Sequence, residues 1–198
     1  MSYAIPGCVV TDHNVAVPLD WSRKDGPTIT VFARELCATA NRDADLPVLV
    51  FLQGGPGGKS PRPNGGPGWL TVALKRYRVL LLDQRGTGRS SPVQGRHFAA
   101  MSADEGALYL SHLRADSIVM DCEHIRKTLF GGRKWSTLGQ SYGGFLTLTY
   151  LSLAPEGLAE CFITGGIPGI GAKADQVYAR VKMDIKNKYP SVDLHYLL

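Results

Sequence analysis

Two stretches of this sequence are apolar at every position: Val48-Leu49-Val50-Phe51-Leu52 and Val79-Leu80-Leu81-Leu82. A strand with one wet face alternates apolar and polar residues. Unbroken runs bounded by Gly or Asp instead fit strands buried on both faces, as in a parallel sheet covered by helices above and below. Two earlier segments, 8–18 and 28–37, are also strand-like, and Thr28-Ile29-Thr30-Val31-Phe32 is rich in β-branched and aromatic residues. The turn-forming residues 20–27 between them imply an antiparallel pair that starts the sheet. Residues 134–138 and 161–164 complete six expected strands.

Helical patterns fall between these strands. Residues 69–77 are placed to form a crossover helix. Ser102 and Glu105 stand at capping-box spacing, where each side chain bonds the other's backbone N–H. Ile118, Cys122, Ile125 and Leu129 recur at one helical face, and Gly131 follows as a C-cap. Residues 145–153 read as an apolar helix stopped by Pro155. Strand–helix alternation of this kind builds right-handed βαβ units and a mostly parallel sheet, the α/β class. The 198 residues suffice for one sizeable core. After the Gly-rich stretch 165–171 the character changes to a polar, Lys-rich helical pattern, so a boundary is expected at 171/172, with 1–171 as the core and 172–198 opening a second unit.

Composition removes several function classes. The formal net charge is +5, but Lys and Arg are scattered without a basic run or interleaved aromatics, so nucleic acid is not an expected partner. The four cysteines, Cys8, Cys37, Cys122 and Cys161, are not spaced as metal ligands, and no metal or other cofactor is expected. Three sit in apolar surroundings; Cys8 and Cys37 lie on neighbouring strands and would pair only in an oxidising compartment. No apolar stretch reaches membrane-spanning length, no basic-then-apolar leader opens the chain, and a cytoplasmic enzyme is expected.

Gly139-Gln140-Ser141-Tyr142-Gly143 lies between a short apolar strand and an apolar helix. At such a junction G-x-S-x-G is the pattern of a nucleophile elbow. The serine must occupy a tight, strained turn so that its hydroxyl stands clear, and the residues two before and two after must be small because neighbouring backbone passes close by. The helix starting at Tyr142 aims its N-terminal dipole at the reaction centre, and the Tyr142 N–H can meet a developing oxyanion.

A second glycine-rich segment, Gln53-Gly54-Gly55-Pro56-Gly57, leaves the first apolar strand and opens a loop reaching Gly68 that holds seven Gly and four Pro. A loop of that length inside a compact domain is usually functional. Gly58-Lys59-Ser60 resembles the end of a phosphate-binding loop, but Gln53 stands where that motif needs Gly, and Pro61 and Pro63 stop a helix from starting at the Lys. Asp83-Gln84-Arg85-Gly86-Thr87-Gly88-Arg89-Ser90, closing the next strand, reads as a turn pinned by Asp and Arg hydrogen bonds rather than as a direct participant.

In order and spacing these three motifs, with Arg114-Ala115-Asp116-Ser117-Ile118-Val119, resemble the proline iminopeptidases, an α/β-hydrolase family of serine peptidases. The likeness covers nearly the whole chain; the departure is Gln53, where the family usually has His. It implies an N-terminal part of the α/β-hydrolase fold with the opening of a helical cap in 172–198. It also implies release of an N-terminal residue, preferably proline, from peptides with a free N-terminus, through an acyl-enzyme on Ser141. The oxyanion donors would be the N–H of Tyr142 and one from Gly54 or Gly55. In this fold Asp and His follow the serine. Only His195 does so here, and Asp193 and His195 stand too close together in sequence to build a triad, so a chain truncated before its base, and inactive alone, is expected. An esterase or other α/β-hydrolase, or a non-catalytic binding protein on the same fold, remain alternatives.

Overall fold

A computed structural model describes residues 1–63 and 68–166. Its centre is a seven-stranded sheet in the order β1-β2-β3-β5-β4-β6-β7. β1 (Ser2–Ile5), β2 (Cys8–Pro18) and β3 (Thr28–Ala38) form an antiparallel meander, and β3 pairs antiparallel with β5 (Arg78–Leu82). β4 (Val48–Leu52) lies parallel between β5 and β6 (Trp135–Gln140), and β7 (Leu158–Thr164) adds parallel to β6. β2, β5, β4, β6 and β7 therefore point one way, and β1 and β3 the other. Every residue of β4 is buried, as its unbroken apolar run requires.

Two expectations are corrected. The sheet has seven described strands rather than six, because Ser2–Ile5 also pairs with β2. That segment is largely exposed and too short to carry a periodicity; its strand state comes from the tight turn at Gly7, where φ is 76°. The crossover helix expected over 69–77 is only α1 (Trp69–Ala73). It has no side-chain N-cap, and its five residues include the β-branched Thr71 and Val72. Cys8 and Cys37 are free thiols, as are Cys122 and Cys161; the Cys8 thiol donates to the Cys37 carbonyl at 3.1 Å. The strands expected at 134–138 and 161–164 extend to Gln140 and back to Leu158.

The two faces of the sheet are covered by different elements. Val48, Val50, Leu52, Leu80 and Leu82 share one core with Ile118, Val119, Cys122 and Ile125 of α3 (Ala115–Phe130) and Leu146 and Tyr150 of α4 (Tyr142–Leu153). Phe51, Val79 and Leu81 point the other way, against Leu70, Ala73 and Leu74. Each fully buried aliphatic side chain of this kind contributes about 1.5–3 kcal/mol. The capping box forms as expected at the start of α2 (Ala103–Ser111), and Gly131 ends α3 with φ 61°. The expected 171/172 boundary and the segment 172–198 lie outside the described residues.

This topology fixes where a site can lie. From β4 the chain crosses to β5 on one side, then returns to β6 on the other. The loops leaving the carboxyl ends of β4 and β6 thus diverge around a crevice, the usual binding position in an open α/β sheet. Those loops begin at Gln53 and Ser141.

Candidate active site

Ser141 sits between β6 and α4 with φ 53° and ψ −116°. Such a conformation costs a non-glycine residue about 1–3 kcal/mol. It is held on both sides of the serine: the Ser141 N–H donates to the Thr164 carbonyl at the end of β7 (2.8 Å), and the Ser141 carbonyl accepts from the N–H groups of Gly144 (2.8 Å) and Phe145 (3.3 Å). The residue is exposed, and among the described residues its Oγ has no hydrogen-bond partner. The need for small neighbours is literal. A Cβ on Gly139 would stand 2.2 Å from the Gly143 carbonyl oxygen, and one on Gly144 would stand 2.6 Å from the Cα of Gly166. Tyr142 opens α4, so its N–H is one of the donors that a helix start leaves free.

The glycine loop passes directly beside this serine. A Cβ on Gly54 would lie 2.9 Å from the Gln140 carbonyl oxygen and 3.0 Å from the Ser141 Cβ, so only glycine allows the approach. The Gly54 N–H donates to Gln53 Oε1 at 3.0 Å, whereas the Gly55 N–H has no partner among the described residues. Gln53 Nε2 reaches across the loop to the Lys59 carbonyl (3.3 Å), and Gln84 Nε2 donates to the Gln53 carbonyl (2.8 Å). Part-way along, the loop is tied down by Ser60, whose N–H donates to Asp83 Oδ1 (2.9 Å) and whose Oγ donates to the Leu82 carbonyl (2.6 Å). Ser60 is fully buried and no helix begins there, which removes the phosphate-loop alternative.

Asp83 is the hub of that anchorage: Arg62 binds both its oxygens, at 3.1 and 2.7 Å, and the Arg89 N–H adds a bond of 2.9 Å. Arg85 is buried and spends its whole guanidinium on structure. It donates through Nε and Nη2 to Asp121, through Nη1 to the carbonyls of Leu19 and His112, and through Nη2 to that of Pro18. The turn is thus structural, as its sequence implied. A second buried network supports α4. Glu123 accepts from Arg126, Lys127 and the Tyr150 hydroxyl, which in turn accepts from Trp135 Nε1 at 3.1 Å. Burial opposes ionisation of Glu123, but the bonds from Arg126, Tyr150 and Lys127 outweigh it and hold the carboxyl down to about 2.

The Tyr142 ring stacks on Phe145 with centroids 5.8 Å apart. Burial, with the nearby Asp116 charge, pushes its phenol above the ordinary value and keeps it neutral. A recess of about 440 Å³ lined by Pro56, Leu113, Arg114, Tyr142 and Phe145 runs along it. Three of the four described histidines are engaged elsewhere: His13 with Glu35 (3.1 Å), His97 with the Gln94 N–H (3.2 Å), and His124 beside the Trp21 ring; the fourth, His112, ends α2, and its carbonyl accepts from Arg85 Nη1. Asp193 and His195 lie outside the described residues. Among the described residues, no group of His, Cys, Asp and Glu is arranged to hold a metal, and no helix is long and apolar enough to cross a membrane. The structure brings Gly54 against Ser141, with Gly55 and Tyr142 as their chain neighbours. The sequence reading missed Gln53 and Gln84 as the groups that shape the loop, although both stand inside the quoted motifs.

Residues 47–191 match the family model described as the alpha/beta hydrolase fold. Over 95% of its length the chain is 48% identical to a proline iminopeptidase of Aeromonas sobria, and over 81% it is 41% identical to a proline iminopeptidase of Aspergillus aculeatus. It spans 44% and 38% of those two relatives. Among solved structures, Rv0554 from Mycobacterium tuberculosis superposes with a TM-score of 0.56 at 16% identity, covering 93% of this chain and 56% of that one. A 2-hydroxy-6-oxo-6-phenylhexa-2,4-dienoate hydrolase from Rhodococcus sp. strain RHA1 superposes with 0.53 at 17% identity, covering 91% and 55%.

Proposed function

Because this chain belongs to the α/β hydrolase fold family, we propose that it carries the nucleophile of a serine aminopeptidase that releases N-terminal residues, preferably proline, from peptides. The observation that carries the reading is Ser141 itself, held at φ 53° at the start of α4 with Gly54 packed against its Cβ. The two similar proline iminopeptidases support the substrate class, and the apolar recess along Pro56, Leu113 and Tyr142 suits a small apolar ring.

In the proposed reaction Ser141 Oγ bonds to the carbonyl carbon of the substrate's first residue while its proton passes to the base. The resulting oxyanion is held by the N–H groups of Tyr142 and Gly55, with Gly54 supplying the close approach. Such donors act in a partly dry site and are fixed before charge develops. Collapse breaks the C–N bond, and the leaving amine takes the proton. Water then attacks the Ser141 ester and releases the amino acid. The orienting acid and the base follow the serine in this fold's chain order. A cytoplasmic setting is part of the reading, and the four free thiols support it.

A fluorophosphonate probe on the full-length protein tests this directly, together with hydrolysis of a prolyl anilide. Labelling confined to Ser141, and loss of turnover in Ser141→Ala, are expected. A full-length protein left unlabelled, or a Ser141→Ala variant with undiminished aminopeptidase activity, would falsify the reading. Turnover of esters without peptides would make it an esterase.

A further inference from the structure

We propose that Gln53 is a positioning residue for the oxyanion site: its carboxamide clamps the glycine loop so that Gly55, and not Gly54, offers the second donor. The inference rests on the serine-hydrolase reading above and deepens it.

The geometry is a closed ring. The carboxamide oxygen accepts from the N–H of the next residue, Gly54 (3.0 Å), while its nitrogen donates to the Lys59 carbonyl (3.3 Å). One end meets a donor and the other an acceptor, so the amide has one orientation that satisfies both. The backbone of Gln53 is fixed separately, because Gln84 Nε2 donates to its carbonyl (2.8 Å) and Gln84 is buried. Two consequences follow for the reaction centre. The Gly54 N–H is occupied and unavailable to substrate. The Gly54 Cα is pinned where an added Cβ would lie 3.6 Å from Ser141 Oγ, and the unpartnered Gly55 N–H belongs to the peptide that follows it. Gly55 holds φ 124°, a conformation closed to other residues, so the peptide's direction depends on the ring as well as on the glycine.

The test uses Gln53→Met, which keeps the volume and removes both bonds, with Gln84→Met as a second variant that releases the Gln53 carbonyl. In the full-length protein with a prolyl anilide, both are expected to lower kcat by about tenfold to a hundredfold, below the roughly hundredfold to thousandfold of losing an oxyanion donor outright because the donor is misaligned rather than removed, with KM within about threefold. Affinity for a prolyl aldehyde, which forms the tetrahedral oxyanion on the serine, should fall in step with kcat/KM. A folded Gln53→Met protein whose kcat stays within about threefold of wild type overturns the clamp, as does a rise in KM with kcat unchanged. If the wild-type protein turns over neither anilide nor ester, the hydrolase reading fails instead. The clamp is then judged by amide hydrogen exchange. Protection of the Gly54 N–H that is lost in Gln53→Met sustains it, and equal exchange rates refute it.

Discussion

A methyl group on Gly143 would stand 1.8 Å from the carbonyl oxygen of Leu52, the last residue of β4. The first turn of α4 is therefore docked against the strand end that launches the glycine loop, and the serine and that loop share one backbone contact. Gly143→Ala is expected to force α4 away from β4. It should destabilise the fold by about 3 kcal/mol and abolish probe labelling at Ser141. Chemical denaturation and labelling on one preparation measure both; a stable, fully labelled variant would show that the elbow can shift at little cost.

Ser141 stores strain that glycine would release. Ser141→Gly and Ser141→Ala both remove the hydroxyl, but only glycine tolerates φ 53° with ψ −116° freely. The glycine variant is expected to be more stable than the alanine variant by about 1 kcal/mol, after allowing for the greater freedom of glycine in the unfolded chain. Equal melting temperatures for the two would mean that the turn is relaxed.

Arg85→Lys keeps the charge but not the fork. A lysine cannot replace the paired bonds to Asp121 and also reach the Leu19, Pro18 and His112 carbonyls. With Asp121 buried, the expected loss is about 3–5 kcal/mol, read from the midpoint of urea unfolding. A midpoint shift worth less than about 1 kcal/mol would show that water enters and replaces the missing donors.

Glu123 gives the protein an acid limb. Its folded value, about 2, lies below the ordinary carboxylate value of 4.5. The stabilisation is therefore complete above the ordinary value and is lost as pH falls from there through about 2; it is on the order of 3 kcal/mol at neutral pH. Glu123→Gln should be strongly destabilised at pH 7, because it strands the buried Arg126 charge, and the gap to wild type should narrow as pH falls below 4. Unfolding followed at pH 7 and pH 3 decides it; a gap independent of pH would assign the loss to packing.

The legible parts of the fold were those whose signal is local. The apolar runs at Val48–Leu52 and in β5 announced doubly buried strands, and the face Ile118, Cys122, Ile125 with Gly131 after it announced α3 and its end. G-x-S-x-G at a strand–helix junction announced the conformation of Ser141. β1 was not legible, because its strand state depends on β2 returning beside it. Nor was it legible which of the Gly54 and Gly55 N–H groups is paired. Glycine signals freedom of the backbone, while which N–H stays unpaired depends on where the Gln53 side chain finds its acceptor, and Lys59 is brought there only by the folded loop. Gln53 itself carries no motif value beyond its departure from His.

The fully buried Ser60, bonded to Asp83 and Leu82, closes the loop segment that Gln53 opens. Its consequence is thermodynamic. Fixing a residue's backbone costs about 1–2 kcal/mol in conformational entropy, and for the stretch from Gln53 to Ser60 that cost is met when the chain folds. On the proposed reading, an arriving substrate would have none of residues 53–60 left to order, and its affinity would carry no penalty from that segment.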